Sequence, residues 1–329
     1  MELGSRLATA GDAPGRPGPT EIRVISPEVK VLRRVADVWR YRELLVGLVR
    51  KELRVKYKGS VVGVAWSMLN PALTLAIYYF IFQIVLGAGI PSFAIFLMTG
   101  LLAYNLFSYS CMNATSAMVG NAAILKKVAF PREILALASV ATGLIFFFFQ
   151  AVVLVLVLAG ARYSHISWAF LPEVVPALLA LIVFSAALAV FLSAVNVYFR
   201  DTQHLVEIIV GALWFWATPI VYPYGQIAKK LASHHLPAWL PLLNPVTDVV
   251  LVFQRAIYGV LAYRSSGQAA SLKPGLGAPQ QNGLNPLLPA AGEWWYLWHV
   301  LVVLAAGAVL LVAAMVMFGR LEGNFAEEL

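Results

Sequence analysis

Long apolar runs dominate the pattern of hydrophobic and polar positions along this chain. A helix needs about 20 apolar residues to cross ~30 Å of hydrocarbon at a rise of 1.5 Å per residue. Six runs approach or exceed that length, so the pattern predicts an all-α integral membrane protein with six transmembrane helices. The predicted spans are at about residues 66–88, 93–119, 134–160, 174–199, 205–222 and 297–318.

Two polar segments precede the first predicted span. Residues 1–28 are rich in Gly, Pro and small polar residues, which bury too little apolar area to offset their ordering entropy, so we expect a disordered tail. Residues 29–60 carry ten Lys and Arg between apolar positions at helical spacing. This pattern predicts an amphipathic helix at the membrane interface, with its cations facing anionic lipid headgroups. Residues 61–329 then form the transmembrane domain.

The outer region between the fifth and sixth predicted spans, residues 223–296, follows a different pattern. The apolar run at 246–260 has about fifteen residues and contains Asp248 and Arg255. It is too short and too charged to span a bilayer, so we expect a re-entrant or outer-face helix. Residues 263–293 are rich in Gly, Pro, Ser and Gln and are predicted to form a loop.

Composition agrees with a membrane protein. Of the 329 residues, 60% are hydrophobic and 12% are charged, about half the charged fraction of a typical soluble domain, roughly 25%. The net charge of +8 could suggest nucleic acid as a partner, but eighteen of the 24 Lys and Arg lie on the side of the termini and six on the other. By the positive-inside rule both termini are cytosolic in the cell membrane, and the charge is explained without nucleic acid.

Cofactor and metal chemistry have no visible basis in this sequence. The one cysteine, Cys111, lies in an apolar span and cannot form an internal disulfide or a multi-cysteine metal site. The five His have no spacing typical of metal ligands, so no metal site is predicted. No GxxxxGK[ST] phosphate loop occurs, so an ATP-driven function would require a second polypeptide.

The basic loop at residues 120–133, GNAAILKKVAFPRE, emerges between the second and third predicted spans. Its segment AAILKKVAF predicts a short helix stopped by Pro131, because proline cannot continue a helix. A basic loop with an apolar face suits binding by a partner protein, but an ordinary positive-inside loop would also explain its cations. The cations are Lys126, Lys127 and Arg132, and the apolar face consists of Ile124, Leu125, Val128 and Phe130.

Six stretches carry a resemblance along most of the chain from Tyr41 to Leu329. They are RELLVGLVRKELRVKYKGSVVGVAWSMLNP (42–71), NAAILKKVAFPREILALA (121–138), YFRDTQHL (198–205), ATPIVYP (217–223), LNPVTDVVLVFQRAIYG (243–259) and GNFAEEL (323–329). In this order they resemble the permease subunit of type-2 ABC exporters. The most similar group moves lipid-linked polysaccharides such as O-antigen, capsule, teichoic acid and cell-wall galactan. The Gly/Pro tail and the long loop at 263–293 depart from the family pattern.

The resemblance implies a homodimer of permeases with two ATPase subunits on the cytosolic face, which bind ATP and Mg. It implies a lipid-linked polysaccharide as the substrate, moved to the outer face of the membrane. It also implies that the basic loop is the coupling helix. The predicted ATPase contacts are Ile124, Leu125, Lys126, Lys127, Val128, Phe130, Pro131 and Arg132. Glu52 and Arg54 on the interface helix are weaker candidates for the same contact.

Aromatic side chains in the spans are candidates for a substrate path. Sugars bind proteins through C–H faces laid on aromatic rings, with hydroxyls taken by nearby polar groups. Aromatics in spans more often serve helix packing or interfacial anchoring. The candidates are Tyr78, Tyr79, Phe82, Tyr104, Asn105, Trp214, Phe215 and Trp216.

Three other functions are alternatives to polysaccharide export. An ABC exporter of a drug or small lipid would keep the fold but lack the polysaccharide-like motifs. A membrane-bound sugar transferase needs acidic clusters for metal and phosphate, and no DxD motif occurs. An ion-driven carrier would need ionisable residues in mid-span, and none is found.

Overall fold

The computed structural model describes residues 38–60, 63, 66–126, 130–264, 269–270 and 284–325. The predicted tail at 1–28 and the first part of the predicted interface segment lie outside these residues. Helices make up most of the described chain. They are α1 (Arg42–Tyr57), α2 (Trp66–Tyr78), α3 (Phe93–Gly120), α4 (Ala122–Leu125), α5 (Glu133–Gly160), α6 (Val174–Tyr198), α7 (Thr202–Ile208), α8 (Trp214–Ala217), α9 (Tyr224–Ser233), α10 (Pro245–Phe253) and α11 (Glu293–Leu321).

Short turns of other helical types adjoin several of these helices. Three π-helical segments follow α2, α7 and α10, at Tyr79–Val85, Ile209–Leu213 and Gln254–Tyr258. Turns of 3-10 helix lie at Leu171–Glu173, Leu240–Leu243 and Glu322–Asn324.

Four helices among the described residues are long and apolar enough to cross a membrane. They are α3, α5, α6 with the turn that precedes it, and α11, and they match the second, third, fourth and sixth predicted spans. The first predicted span contains a shorter apolar helix, Leu69–Val85, whose second half is π-helical. The fifth breaks into α7, a π-helical segment and α8. The class of mainly helical membrane protein is therefore confirmed, whereas the six-span count stays a prediction.

Helix α3 is the centre of the bundle. It packs along α5 and α6 and meets α10, and side chains such as Phe96 and Phe107 are fully buried. Since lipid tails are as apolar as these side chains, the spans associate through close packing rather than through the hydrophobic effect. Gly307 permits a close approach of α11 to α6, because a Cβ at this position would lie 3.2 Å from the backbone nitrogen of Phe184.

The predicted outer loop at 263–293 contains a small antiparallel sheet. Strands of two or three residues are too short to show an alternating pattern, which is why the sequence indicated only a loop. The described strands therefore add a small sheet to the predicted loop, and the described chain remains mainly helical. The central strand β1 (Ala262–Arg264) pairs with β2 (Ala269–Ala270) and with β3 (Leu284–Pro286).

Helix α10 forms where the short outer helix was predicted. Its N-terminus is capped by Asn244, whose Oδ1 accepts from the backbone N–H of Val246 at 3.0 Å. Pro245 occupies the first helical turn, where its missing N–H costs nothing. The indole N–H of Trp214 donates to the same Oδ1 at 2.8 Å, so one side chain starts α10 and ties it to α8.

The segment between α5 and α6 packs directly against the end of the π-helical turn after α10. The backbone N–H of Ser167 donates to the carbonyl of Ala256 at 2.9 Å. Gly259 ends the turn with φ of 71°, a left-handed conformation that favours glycine. A Cβ on Gly259 would lie 1.9 Å from the carbonyl oxygen of His165, so the close approach of the two segments depends on this glycine.

We expect Gly259→Ala to lower the free energy of unfolding by about 2 kcal/mol or more, because it adds both backbone strain and a clash with backbone. Thermal unfolding of the detergent-purified protein measures the loss. Gly292→Ala is the control, since a Cβ at Gly292 would meet no atom within 4 Å. Equal midpoints for the two variants would contradict the described packing of this segment.

Candidate functional site

The basic loop at residues 120–133 joins α3 to α5 at one end of the bundle. Within the predicted helix at 122–130 the structure describes one helical turn, α4, whose four residues end at Leu125. Lys127 and Val128 lie outside the described residues. After Pro131 the chain enters α5, and the backbone N–H of Ile134 donates to the carbonyl of Pro131 at 3.2 Å.

Two apolar residues of the basic loop, Leu125 and Phe130, point into the protein. Leu125 and Phe130 are buried in an apolar cluster, the basal cluster, which also contains Leu48 and Val49 of α1 and Phe318 of α11. Their surface is therefore taken up by the protein's own packing. The face open to a partner includes Lys126, which is exposed, and parts of Ile124 and Arg132, which are half-buried.

Helix α1 is fixed beside the basic loop by two polar contacts. The hydroxyl of Thr142 on α5 donates to Oε2 of Glu52 at 2.7 Å. Nζ of Lys51 donates to Oδ1 of Asn121, the first residue after α3, at 2.6 Å. Burial raises the pKa of the Glu52 carboxyl above its ordinary value, while the Thr142 hydrogen bond and the charge of Lys51 oppose that rise.

Lys56 adds a third contact between α1 and the bundle. Its ammonium lies 3.9 Å from the ring centroid of Phe146 and 4.9 Å from that of Tyr109, the geometry of a cation–π interaction. The two rings meet edge to face at 4.9 Å. Burial lowers the pKa of the Lys56 ammonium. Helix α1 is thus held along its length on α5 and α3.

The two α1 residues predicted as ATPase contacts differ in orientation. The Glu52 carboxyl is engaged by Thr142, so the described geometry favours an anchoring role for it. Arg54 lies on the exposed side of α1, where a partner could reach it. The sequence pattern could not separate the two, because both lie at charged positions of one basic helix.

Four of the aromatic candidates form one packed group between α2, α3 and α8. Tyr78 stacks on Phe215 at 5.8 Å between centroids, and Phe215 meets Tyr104 edge-on at 5.3 Å. Phe82 lies 6.2 Å from Tyr78. The Tyr104 hydroxyl donates to the carbonyl of Val210 in a π-helical turn. In this chain these rings pack with one another inside the bundle.

The other path candidates separate into packed and open side chains. Trp214 packs on Phe107 at 5.1 Å between centroids. Asn105 donates to Oε1 of Gln150 on α5 at 2.9 Å, a partner that no sequence spacing pointed to. Tyr79 and Trp216 are 40% and 51% exposed, so among the candidates these two rings present the most free surface.

A contact from beyond α11 also reaches the basic loop. Nη1 of Arg132 donates to the backbone carbonyl of Glu322 at 3.0 Å. The two residues are 190 positions apart, and only their opposite charges could have hinted at the pairing.

Comparison with known proteins gives a family match over most of the chain. Residues 43–258 match the family described as ABC-2 type transporter. The chain is 36% identical, over 230 residues, to the O-antigen export system permease protein RfbA of Myxococcus xanthus. That alignment covers 69% of this chain and 85% of the relative.

Two further relatives are similar over a comparable length. The O-antigen export system permease protein RfbA of Klebsiella pneumoniae is 32% identical over 67% of this chain and 83% of its own length. The polysialic acid transport protein KpsM of Escherichia coli is 25% identical over 60% of this chain and 76% of its own length.

We expect Glu52→Ala to lower the free energy of unfolding by about 1–3 kcal/mol, because it removes the charged hydrogen bond that joins α1 to Thr142 of α5 and leaves the Thr142 hydroxyl only the carbonyl of Ala138. Glu52→Gln keeps an oxygen acceptor and should lose less. The midpoint of thermal unfolding measures both. Glu43→Ala is the matched control, since Glu43 is exposed on the same helix. A Glu52→Ala midpoint equal to that of Glu43→Ala would refute the anchor.

Proposed function

Because the chain belongs to the ABC-2 type transporter family, we propose that it is the permease subunit of an ATP-driven exporter of a lipid-linked polysaccharide. The substrate moves from the cytosolic to the outer face of the membrane. The similarity to O-antigen and polysialic acid export proteins over about two thirds of the chain carries this proposal. It also favours a polysaccharide over a drug or small lipid. The chain acts as a transport subunit rather than as an enzyme.

In the proposed topology, the chain has six spans and both termini lie in the cytosol. The proposed location is the plasma or inner membrane, where the chain is a multi-pass protein. The asymmetric distribution of Lys and Arg supports this topology, with eighteen of 24 on the side of the termini. In this topology α1 lies at the cytosolic interface, and the basic loop faces the cytosol. Helices α9 and α10 and the small sheet lie on the outer side.

The proposed assembly is a homodimer of this chain with two copies of an ABC ATPase, which bind ATP and Mg. The absence of a phosphate loop from the sequence supports a separate ATPase. Within the basic loop, the exposed Lys126 is proposed to contact the ATPase directly together with Lys127, Val128 and Arg132. Leu125, Phe130 and Pro131 are proposed to hold the loop in shape from behind, because Leu125 and Phe130 are buried.

The proposed substrate path uses the open aromatic rings. Tyr79 and Trp216 are the candidates with the most free surface. Trp216 meets Phe215 of the packed group edge-on, and Tyr79 lies against Phe93, which in turn contacts Phe82 of that group. A packed group behind an open ring fixes its orientation, which suits a surface along which sugar faces slide. Asn105 and Trp214 then contribute to helix packing through Gln150 and Asn244.

Changing Lys126, Lys127 and Phe130 together to Ala should abolish most of the substrate-stimulated ATP turnover of the permease–ATPase complex, because the loop loses two of its three cations and the buried ring of Phe130. Turnover of the purified complex in lipid nanodiscs is the measurement. Lys229→Ala combined with Lys230→Ala removes as many cations from exposed positions on α9 and should leave turnover unchanged. Normal turnover in the triple variant would show that the basic loop does not couple the subunits.

Depleting the protein from its own cells should cause a lipid-linked saccharide to accumulate on the cytosolic side of the membrane. Extraction of lipids followed by mass spectrometry identifies the species and its lipid carrier. Re-expression of the unaltered chain should clear it. Accumulation of a drug or an unglycosylated lipid instead would favour the alternative cargo.

A further inference from the structure

The turn that follows α11, residues 322–325, folds back beneath the bundle and is named here the α11 turn. Phe325 is 0% exposed and belongs to the basal cluster. Its ring meets Phe318 edge-on at 5.3 Å between centroids and lies 5.9 Å from Tyr198 at the end of α6. The Tyr198 hydroxyl donates to the carbonyl of Leu321 at 3.0 Å. The turn is therefore fixed to two spans.

The α11 turn holds the basic loop at its exit into α5. Nη1 of Arg132 donates to the carbonyl of Glu322 at 3.0 Å, and Nε lies 3.9 Å from Oε1 of the same residue. The guanidinium also lies 5.9 Å from the centroid of the Phe325 ring, within cation–π range. Arg132 directly follows Pro131, whose ring fixes φ. The point at which the basic loop enters α5 is therefore held by the α11 turn.

The two ends of the basic loop are thus bonded to different elements. Asn121 at its start bonds to Lys51 of α1, and Arg132 at its end bonds to the α11 turn. Between them Leu125 and Phe130 pack in the same basal cluster as Phe325. A close-packed cluster transmits displacement because it has little room to relax. The angle at which the loop leaves the bundle therefore depends on the α11 turn.

We propose that the α11 turn positions the basic loop for its ATPase partner, with Phe325 acting as a positioning residue through Arg132. This inference rests on the proposed function and deepens it. Phe325 is buried and contacts no partner itself, so its effect on the ATPase passes through the loop. A turn that only completes the packing of α11 would affect stability alone.

The test compares the purified permease–ATPase complex carrying Phe325→Ala with one carrying Phe170→Ala. Phe170 is the matched control, since it is 6% exposed, lies 4.1 Å beneath the guanidinium of Arg255, and belongs to a different apolar cluster, beyond the end of α5 that is remote from the basic loop. Both variants remove a buried ring under an arginine. Three quantities are measured, namely the thermal unfolding midpoint, the ATPase dissociation constant and the substrate-stimulated ATP turnover.

We expect both variants to lower the unfolding midpoint, but only Phe325→Ala to weaken ATPase binding, by about tenfold. Phe325→Leu should recover part of the affinity, because it restores apolar volume in the basal cluster. Arg132→Ala and Phe325→Ala should be non-additive when combined, since both break one contact. The double variant should bind the ATPase about as well as the weaker single variant.

Two results would overturn the positioning role. One is an ATPase dissociation constant for Phe325→Ala that matches that of Phe170→Ala. The other is additivity of the Arg132 and Phe325 effects to within about twofold. An unaltered permease that retains no ATPase would overturn the proposed function and this inference with it. The unaltered complex is assayed first, so the two failures are distinguished.

Discussion

A chain inside hydrocarbon must satisfy every backbone N–H and C=O group from within the protein, and the rest of this structure depends on that constraint. Four helices of 28 or 29 residues meet it through their own ladders. Where a predicted span is broken, neighbouring side chains supply partners. Tyr104 bonds to the carbonyl of Val210 in a π-helical turn, and the amide of Gln254 donates to the carbonyl of Pro219 at 3.1 Å. The irregular segments at Val210 and Pro219 are therefore bonded to the central helix α3 and to the π-helical turn that follows α10.

Different kinds of interaction stabilise the two ends of the bundle. At the end opposite the basic loop, backbone contacts and polar side chains join the segment before α6 to the end of the π-helical turn at Gly259. At the end that carries the basic loop, an apolar cluster collects α1, the loop, α6 and α11, and only a few charged contacts surround it. An apolar cluster does not specify direction, whereas the contacts of Lys51 and Arg132 do. Together they fix the loop in both position and orientation.

Charge on α1 serves more than one purpose. The sequence pattern predicts that its cations face lipid headgroups, with Arg54 also a candidate ATPase contact. In the structure Lys51 bonds to Asn121, and Lys56 lies over the Phe146 ring. Burial of Glu52 among them is tolerated because Thr142 donates to the carboxylate. Arg54 lies on the exposed side of α1, where a partner or the lipid surface can reach its guanidinium. A helix of this kind is an anchored part of the bundle and a surface at the same time.

The sequence by itself determined the membrane class, four of the spans and the family, because apolar runs of fixed length and ordered motifs are local properties of the chain. It also located the basic loop. Only the tertiary structure decided that Leu125 and Phe130 face inward, that the packed and the open aromatic rings differ, and that Glu322 meets Arg132. The small sheet was missed for a related reason. These features depend on contacts between distant segments, and hydropathy does not record which distant side chain will occupy the space beside a residue.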